Sequence, residues 1–309
     1  MRIALKILLV TNRTLSNHKK EWEDGGYWNL FLPLEALGHD VEFYDTVRGE
    51  RSAFPNLVDK FKPDLIFCCM TGDPHLTPNE PWDEVIQETQ KGNCKTFNWF
   101  CDDTWRFENF SSKVCQAFHV CSTPEIDYID KFKEIGYQNI ILGFWYSNID
   151  FYPRNVEKKT DIAFCGQLNF DRQRYIEYLR FNDLEVTHHH GITHTEMLQA
   201  IAETRIGINF SKNYNGRPPV LQMKGRMVEV PAANSLLLTE YAPGIEHHFE
   251  IDKEIVTFKT EDEMLKKAQF LVKNPKLVER ITKKGHARFL KEHESKVRLE
   301  STIKKIMEL

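Results

Sequence analysis

The stretch KGRMVEVPAANSLLLTEY, residues 224–241, places charged side chains directly before an apolar run. Lys224, Arg226 and Glu229 lie within six residues of one another, and Leu236 to Leu238 follow closely. A buried strand explains the leucines, because such strands read as continuous apolar runs. It does not explain two cations and a carboxylate just upstream. These charges therefore indicate that the stretch faces a polar ligand.

A second group of chemically active residues follows another apolar run, TFNWF at residues 96–100. Asp102 and Asp103 are adjacent there, and Trp105 comes two residues later. A carboxylate in this position can orient or deprotonate a hydroxyl group, and the indole offers an aromatic face to a bound molecule. His75, after another apolar run, is a second candidate base. A simple helix cap is the alternative role for the two aspartates.

Metal chemistry is not predicted. The tract His188–His189–His190 lies at the end of a predicted strand, where successive side chains point to opposite faces, so the three imidazoles do not converge. The seven cysteines show no C-x-x-C spacing, which argues against a zinc site or a disulfide framework. We expect reduced thiols and a cytoplasmic protein.

Length and composition are those of a globular protein with one or two domains. The chain has 309 residues, 41% of them hydrophobic and 28% charged. The formal net charge of −4 gives no basic field of the kind that attracts nucleic acid. The apolar run near the N-terminus is short and contains Lys6, which predicts no integral membrane segment and no cleaved signal.

Strand and helix patterns alternate along the whole chain, which predicts α/β domains with doubly wound parallel sheets. The pattern is interrupted at residues 146–160, where Pro153 and a charged run indicate a linker. We predict a domain at 1–150, a second at 151–293, and a helix at 294–309 that docks back on the first. Neither half contains a dinucleotide fingerprint or a P-loop. The arrangement predicts two Rossmann-like domains facing a cleft, with ligands at the carboxyl ends of the strands.

The second half of the chain resembles a known family. The segments RMVEVPAANSLLLTEYAPGIE, KEIVTF, EDEM and NPKLVERITKKG occur in the order found in the C-terminal half of CgeB-like glycosyltransferases. The resemblance is strong from about residue 160 to the end and weaker over the first half, where NWFCDDTWRFENFS still looks like the family. It implies a GT-B fold and an enzyme related to retaining transferases that use nucleotide sugars.

This resemblance gives roles to the charged stretch. Glu229 matches a glutamate that accepts hydrogen bonds from the ribose of the donor. Arg226 matches an arginine of the family three residues before this glutamate, and Lys224 beside it is a second candidate cation. Fixed cations there would stabilise the departing diphosphate without a metal. One position departs from the pattern, because Leu221 stands where related enzymes have a glutamate that touches the sugar. The identity of the sugar and the retaining outcome stay open for this reason.

Further candidates for the donor site lie at predicted strand ends and helix starts. Glycines there let the backbone approach a ligand, and arginines at a helix start can reach a diphosphate. These candidates are Gly166, Arg172, Arg174, Asn209 and the pair Gly25–Gly26.

The sequence therefore predicts a metal-independent glycosyltransferase that moves a hexose or pentose from a nucleotide-diphosphate sugar to a hydroxyl group. No cofactor is expected besides this donor, which is a substrate. The acceptor is open between a glycan, a protein, a lipid head group and a modified nucleic acid. Two other hypotheses remain, a non-catalytic assembly protein that retains the nucleotide-sugar pocket and a nucleotide-sugar epimerase.

Overall fold

The computed structural model describes residues 4–14, 25–216 and 218–309. Contacts within the chain divide it into two compact units. Unit 1 comprises Met1–Asn148 and Ser295–Leu309, and unit 2 comprises Ile149–Glu294. Each unit is built around its own parallel sheet, so the predicted α/β class is confirmed.

The described part of unit 1 contains one sheet of six parallel strands. They are β1 (Lys6–Thr11), β2 (Asp40–Asp45), β3 (Leu65–Cys68), β4 (Lys95–Trp99), β5 (Val120–Thr123) and β6 (Ile140–Leu142), in the spatial order β2-β1-β3-β4-β5-β6. The main helices are Tyr27–Phe31 continuing as Leu32–Ala36, Phe54–Phe61, Trp82–Lys91, Asp103–Arg106 continuing as Phe107–Ser111 and Ser112–Val114, Ile126–Glu134, and Ser295–Glu308. The segments Tyr27–Phe31 and Phe107–Ser111 are π-helical.

The apolar run of β1 is long because both faces of this sheet are covered. Ile7 and Leu9 belong to one buried cluster, and Leu8 and Val10 belong to another. Successive side chains of a strand point to opposite faces. A strand with helices on both sides therefore has an apolar middle, here Ile7 to Val10, and polar residues only at its ends, as is typical of parallel sheets.

The C-terminal helix Ser295–Glu308 packs into unit 1. Leu299, Ile303 and Ile306 are buried in the same cluster as Ile7 and Leu9. The helical spacing in the sequence also assigns Val297 and Leu309 to the apolar face. Both are exposed, because Val297 lies off the buried stripe of Leu299, Ile303 and Ile306, and Leu309 comes after the last residue of the helix.

In unit 2, the described residues form a second parallel sheet and a short hairpin. The sheet comprises β7 (Thr160–Cys165), β8 (Val186–His189), β9 (Thr204–Asn209), β12 (Leu236–Glu240) and β13 (Val256–Phe258), in the order β13-β12-β9-β7-β8. The antiparallel hairpin is β10 (Lys212–Asn213) with β11 (Val220–Leu221). The helices are Phe170–Phe181, His194–Ala202, Arg226–Ala232, Glu261–Lys273, and Pro275–Arg288 continuing as the π-helical Phe289–His293.

The helix His194–Ala202 begins at the capping box expected from Thr-x-x-Glu. The Thr193 hydroxyl accepts from the Glu196 amide, and the Glu196 carboxylate accepts from the Thr193 amide at 2.7 Å. The two bonds satisfy amides that a helix start leaves without intrahelical partners.

Candidate functional site

The helix Arg226–Ala232 lies close to β9 because Gly207 has no side chain. A Cβ atom at Gly207 would lie 2.9 Å from Cγ1 of Val230, nearer than such atoms approach. The helix starts at Gly225, whose carbonyl accepts from the amides of Val228 and Glu229. This packing fixes the first turn of the helix, which carries Arg226 and Glu229.

Arg226 and Glu229 form an ion pair one helical turn apart. Nη1 of Arg226 donates to Oε2 of Glu229 and also contacts Sδ of Met197. The two side chains are only 20% and 16% exposed. Among the described residues none donates to Oε1 of Glu229. Lys224 lies in the turn before them, with its carbonyl accepting from the Met227 amide at 2.9 Å.

Gly166 follows directly after β7, and the backbone changes direction sharply at this residue. Its φ of 155° is unfavourable for other residues, and an added Cβ would lie 3.0 Å from Phe164. Its amide donates to the His189 carbonyl at 2.9 Å, and its carbonyl accepts from Nε2 of His188 at 2.8 Å. His188 thus has a structural partner, and no group of three or more potential metal ligands occurs among the described residues.

Arg172 brings a second guanidinium group to this edge of the sheet. Nη1 donates to the Gln167 carbonyl at 3.1 Å, and the group lies 5.9 Å from the Phe164 ring. Burial lowers the pKa of Arg172, and the positive charge of Arg226 lowers it further, while Tyr214 and Glu240 raise it. Its Nε is buried without a hydrogen-bond partner among the described residues. A bound anion would accept a hydrogen bond from this Nε, and its negative charge would offset the positive charges of the two arginines.

Arg174 has a different position, although the sequence groups it with Arg172 at one helix start. Its Nε forms an ion pair with Oε1 of Glu261 at 3.1 Å, and its side chain is 62% exposed. Two residues along a helix point to different sides. Arg174 therefore joins two helices at the surface.

Asn209 and Ser211 hold strand ends together. Nδ2 of Asn209 donates to Oγ1 of Thr239 at 2.9 Å, and Oγ of Ser211 donates to the Glu240 carbonyl at 2.6 Å. Both side chains are buried. Asn209 thus lies at the expected edge of the sheet but already has a protein partner.

Glu240 and Lys212 are two further residues of this edge that sequence reasoning missed. Glu240 ends β12 at the same edge as Gly166, and its Oε2 accepts from the Lys212 amide at 2.9 Å. The ammonium group of Lys212 donates to Asp171 at 3.0 Å. A glutamate at the end of the apolar run LLLTE was the available signal. The hairpin that carries Lys212 also carries Leu221 as its pairing partner.

In unit 1, Gly26 lies against the end of β1. A Cβ atom there would lie 2.8 Å from the Thr11 side chain and 2.9 Å from the Asn12 carbonyl. Gly25 precedes it in the same helical turn. Gly26 allows the helix start to approach the carboxyl end of β1 closely, whereas a Cβ atom at Gly25 would meet only the Asn29 side chain at 3.4 Å. Nearby, Arg13 stacks 4.3 Å from the Tyr27 ring.

The adjacent carboxylates Asp102 and Asp103 differ sharply in environment. Asp102 is partly exposed and occupies the N-cap position of the short helix, without a side-chain cap bond. Asp103 is 1% exposed. Burial raises the pKa of Asp103 to about 6, against the opposing effect of the Ser111 and Thr123 hydroxyls. Only Asp102 of the pair is exposed to a bound molecule in this conformation.

The loop after β3 is organised by Glu80, another residue that sequence reasoning missed. Its buried carboxylate accepts from the Gly72 amide at 2.8 Å, from Oγ1 of Thr77 at 2.7 Å and from Nε1 of Trp82 at 2.9 Å. Arg106, after β4, donates to the Thr71 carbonyl. His75 is exposed on this loop, and its role as a base stays a prediction.

Comparison with known proteins agrees with this architecture. Residues 153–304 match the family model described as glycosyl transferase-like. The matched region includes Arg172, Arg226 and Glu229. Among curated protein sequences none gives a significant match.

Solved structures with the same fold span the whole chain at low identity. A glycosyltransferase from Rickettsia africae is 9% identical with a TM-score of 0.63, covering 99% of this chain and 98% of that one. Anabaena HepE in complex with UDP-glucose is 12% identical with a TM-score of 0.58, covering 99% and 100%. A candidate UDP-N-acetylglucosamine 2-epimerase from Listeria monocytogenes is 8% identical with a TM-score of 0.60, covering 99% and 97%. The fold is that of GT-B glycosyltransferases, whereas the CgeB-like subgroup stays a prediction.

None of the described helices is both long enough and apolar enough to cross a membrane.

Proposed function

We propose that the protein is a metal-independent glycosyltransferase whose donor is a nucleotide-diphosphate sugar. The observation that carries this proposal is a pair of partly buried guanidinium groups in unit 2: Arg172, just after β7, whose Nε has no partner among the described residues, and Arg226, which pairs with the carboxylate of Glu229. A diphosphate leaving group gains negative charge as the glycosidic bond breaks, and fixed cations stabilise that charge.

Glu229 would bind the ribose of the donor. Its Oε2 is held by Arg226, which orients the carboxylate, and Oε1 has no donor among the described residues. Two adjacent ribose hydroxyls are suited to such an acceptor. The structure of HepE with UDP-glucose shows that this fold binds a nucleotide sugar in another protein.

The acceptor hydroxyl would be oriented or deprotonated by Asp102, which is partly exposed after β4. Trp105, in the first turn of the helix that Asp102 precedes, is partly exposed as well and offers an apolar face to a sugar ring. Retention of configuration, a hexose or pentose as the transferred sugar, membership of the CgeB-like group and a cytoplasmic location are parts of the same proposal.

Donor binding tests the proposal first. Thermal shifts would be recorded with UDP, GDP, ADP and dTDP and with their sugars, each with magnesium and with EDTA, because a ligand stabilises the folded state. We expect one nucleotide to raise the melting temperature equally in both conditions. A complete lack of shifts would rule out the donor site, and a shift that requires magnesium would rule out metal independence.

An epimerase is the second candidate, favoured by the similarity to the Listeria protein. A labelled donor incubated without acceptor distinguishes the two activities. An epimerase converts the donor to an isomeric sugar, whereas a transferase leaves it intact or hydrolyses it slowly. A protein that binds the donor but never turns it over with any acceptor would be a non-catalytic relative.

A further inference from the structure

Unit 2 has a groove at the amino ends of its strands. Two neighbouring cavities of about 350 and 450 Å³ share Lys158 and Arg205 as lining residues. Lys158 lies just before β7, and Arg205 is the second residue of β9. The proposed donor site lies at the carboxyl ends of the same strands. Six residues of strand span roughly 20 Å, so the groove is a separate place on the unit.

Charge is distributed unevenly along the groove. The smaller cavity is lined by four cations, Lys158, Arg205, Lys276 and Lys283, and by one carboxylate, Glu279. The larger cavity is lined by three cations and three carboxylates, namely Lys158, Lys159, Arg205, Asp161, Asp183 and Glu185. The excess of positive charge therefore belongs to the smaller cavity, which we call the basic cavity.

Lys158 is the fixed cation of the basic cavity. Its ammonium group donates to the carbonyls of Ala202 and Asn234 at 2.8 and 2.7 Å and to Oγ of Ser235 at 2.8 Å. These bonds use all three of its protons on neutral acceptors, so they hold the charge in place without neutralising it. Burial lowers the pKa of Lys158 to about 8, and Arg205 contributes to this lowering. A bound anion would relieve this cost.

The other cations of the basic cavity form only exposed ion pairs or none. Arg205 forms an ion pair with Asp161 at 3.1 Å and Lys283 with Glu279 at 2.7 Å, and all four side chains are about half exposed or more. Exposed ion pairs of this kind contribute little, and a multivalent anion competes with them readily. Lys276 has no ion-pair partner among the described residues.

The walls of the basic cavity suit a small molecule with a neutral body. Pro275 and Val278 supply apolar surface, and Asn234 and Thr282 supply neutral polar groups. Pro275 begins a 14-residue helix whose N-cap, Asn274, makes no side-chain cap bond, and a helix start favours anions. The volume lies at the lower end of the range for small-molecule sites.

We infer that the basic cavity binds the phosphate group of a soluble phosphorylated small molecule, at a site separate from the donor site. Arg205, Lys276 and Lys283 would contact the phosphate oxygens above the fixed charge of Lys158. Phosphate fits better than a carboxylate because it carries more charge and more acceptor oxygens for several cations. The inference does not depend on the proposed transferase activity.

Calorimetry with inorganic pyrophosphate tests the inference. The donor site also attracts phosphates, so the measurement uses the Arg226→Gln variant, in which that site is weakened. We expect Arg226→Gln to retain a binding event that the triple variant Arg226→Gln/Lys276→Gln/Lys283→Gln loses. The loss should be about tenfold or more in affinity, since charge-assisted hydrogen bonds are the strong ones.

The matched control removes two cations of the same unit that do not line the cavity. Lys266→Gln/Lys284→Gln in the Arg226→Gln background changes the net charge equally, and Lys284 is adjacent to Lys283 in the chain. It should leave the affinity unchanged. Equal weakening by both pairs, or no binding by Arg226→Gln itself, would overturn the inference.

Vesicles distinguish the source of the phosphate. Flotation with phosphatidic acid vesicles and with neutral phosphatidylcholine vesicles should show no protein on either. Protein that floats with phosphatidic acid, and loses this with Lys276→Gln/Lys283→Gln while failing to bind pyrophosphate, would make the ligand a lipid head group and refute a soluble ligand.

Discussion

The carboxyl edges of the two sheets carry opposite chemistry. At the edge of unit 2, Arg172 and Arg226 supply two partly buried guanidinium groups, and Glu229 pairs with Arg226. At the edge of unit 1, a pair of carboxyl groups comes after β4, one partly exposed and the other buried. The same parallel topology gathers residues at each edge. The chemistry of each edge depends on the side chains in the loops and helix starts after its strands.

This difference implies a division of tasks within the proposed reaction. Cations suit the diphosphate of the donor, and a carboxylate suits a hydroxyl that loses its proton. If the division is correct, changes in unit 1 alter transfer but not donor binding, whereas changes in unit 2 alter donor binding itself. Substitutions at Asp102, Arg226 and Glu229 test this division of tasks, and one at Asp103 tests the difference in burial between the two carboxyl groups. They follow in order of decreasing expected effect.

Asp102→Asn should lower sugar transfer by about 10²–10⁴-fold, because a positioned general base contributes about that much. Donor affinity should stay unchanged, which calorimetry would show alongside the transfer rate. Asp59→Asn, an exposed aspartate of the same unit, is the matched control. Transfer at the wild-type rate would mean that Asp102 has only a structural role at the start of the helix. His75 would then be the leading candidate base.

Asp103→Asn should stabilise the protein at neutral pH. The folded pKa of about 6 lies above the unfolded value, so the neutral carboxyl is favoured by folding and its contribution is complete below about pH 4. That contribution is lost as the pH rises through 6, at a cost of up to about 3 kcal/mol for a two-unit shift. Asparagine mimics the neutral form.

Urea unfolding at pH 4.0 and pH 7.5 would measure this effect. The variant should match the wild type at pH 4.0 and exceed it at pH 7.5. Equal destabilisation at both pH values would mean that Asp103 is held charged by the Ser111 and Thr123 hydroxyls.

The sequence predicted strands such as β1 and β12 because each contains an unbroken apolar run, Ile7 to Val10 in β1 and Leu236 to Leu238 in β12. It missed the helix Phe54–Phe61, whose Pro55 was no obstacle because the first turn of a helix tolerates proline. It also gave Asp102 and Asp103 the same role. Their difference in burial depends on where the helix after β4 begins. Two adjacent aspartates do not indicate which of them is the first residue of that helix.

The site was predicted where a short segment carries its own chemistry and missed where contacts join distant segments. Arg226 and Glu229 are three residues apart on one helix, so their pairing follows from spacing. The contact of Glu240 with the Lys212 amide and that of Arg106 with the Thr71 carbonyl join separate loops. Such contacts depend on the register of neighbouring strands, which composition and periodicity do not give.

Arg226→Gln should weaken nucleotide binding by about 10- to 100-fold, since hydrogen bonds to charged groups contribute about 1.5–3 kcal/mol. The loss should shrink at high salt, because part of it is electrostatic. Arg174→Gln is the matched control, as its guanidinium pairs with Glu261 at the surface. Equal dissociation constants for the two variants would move the diphosphate away from Arg226.

Glu229→Gln should have the smallest effect of the four. Glutamine keeps the shape and one acceptor oxygen, so ribose hydroxyls retain a partner, but the charge that orients Arg226 is lost. We expect a loss of about 0.5–1.5 kcal/mol in nucleotide affinity, typical of a neutral hydrogen bond. Glu229→Ala removes the acceptor entirely and should cost about 1.5–3 kcal/mol. Glu246→Gln, at an exposed position of unit 2, controls for the change in net charge.

The relative losses of affinity in Glu229→Gln and Glu229→Ala distinguish two roles for Glu229. A ribose acceptor predicts that alanine is clearly worse than glutamine, and that the free base or phosphate alone shows no difference between the variants. If glutamine is as harmful as alanine, the charge matters and the acceptor does not. Glu229 would then act only by orienting Arg226, and binding of pyrophosphate, which has no ribose, would fall in both variants to the same extent.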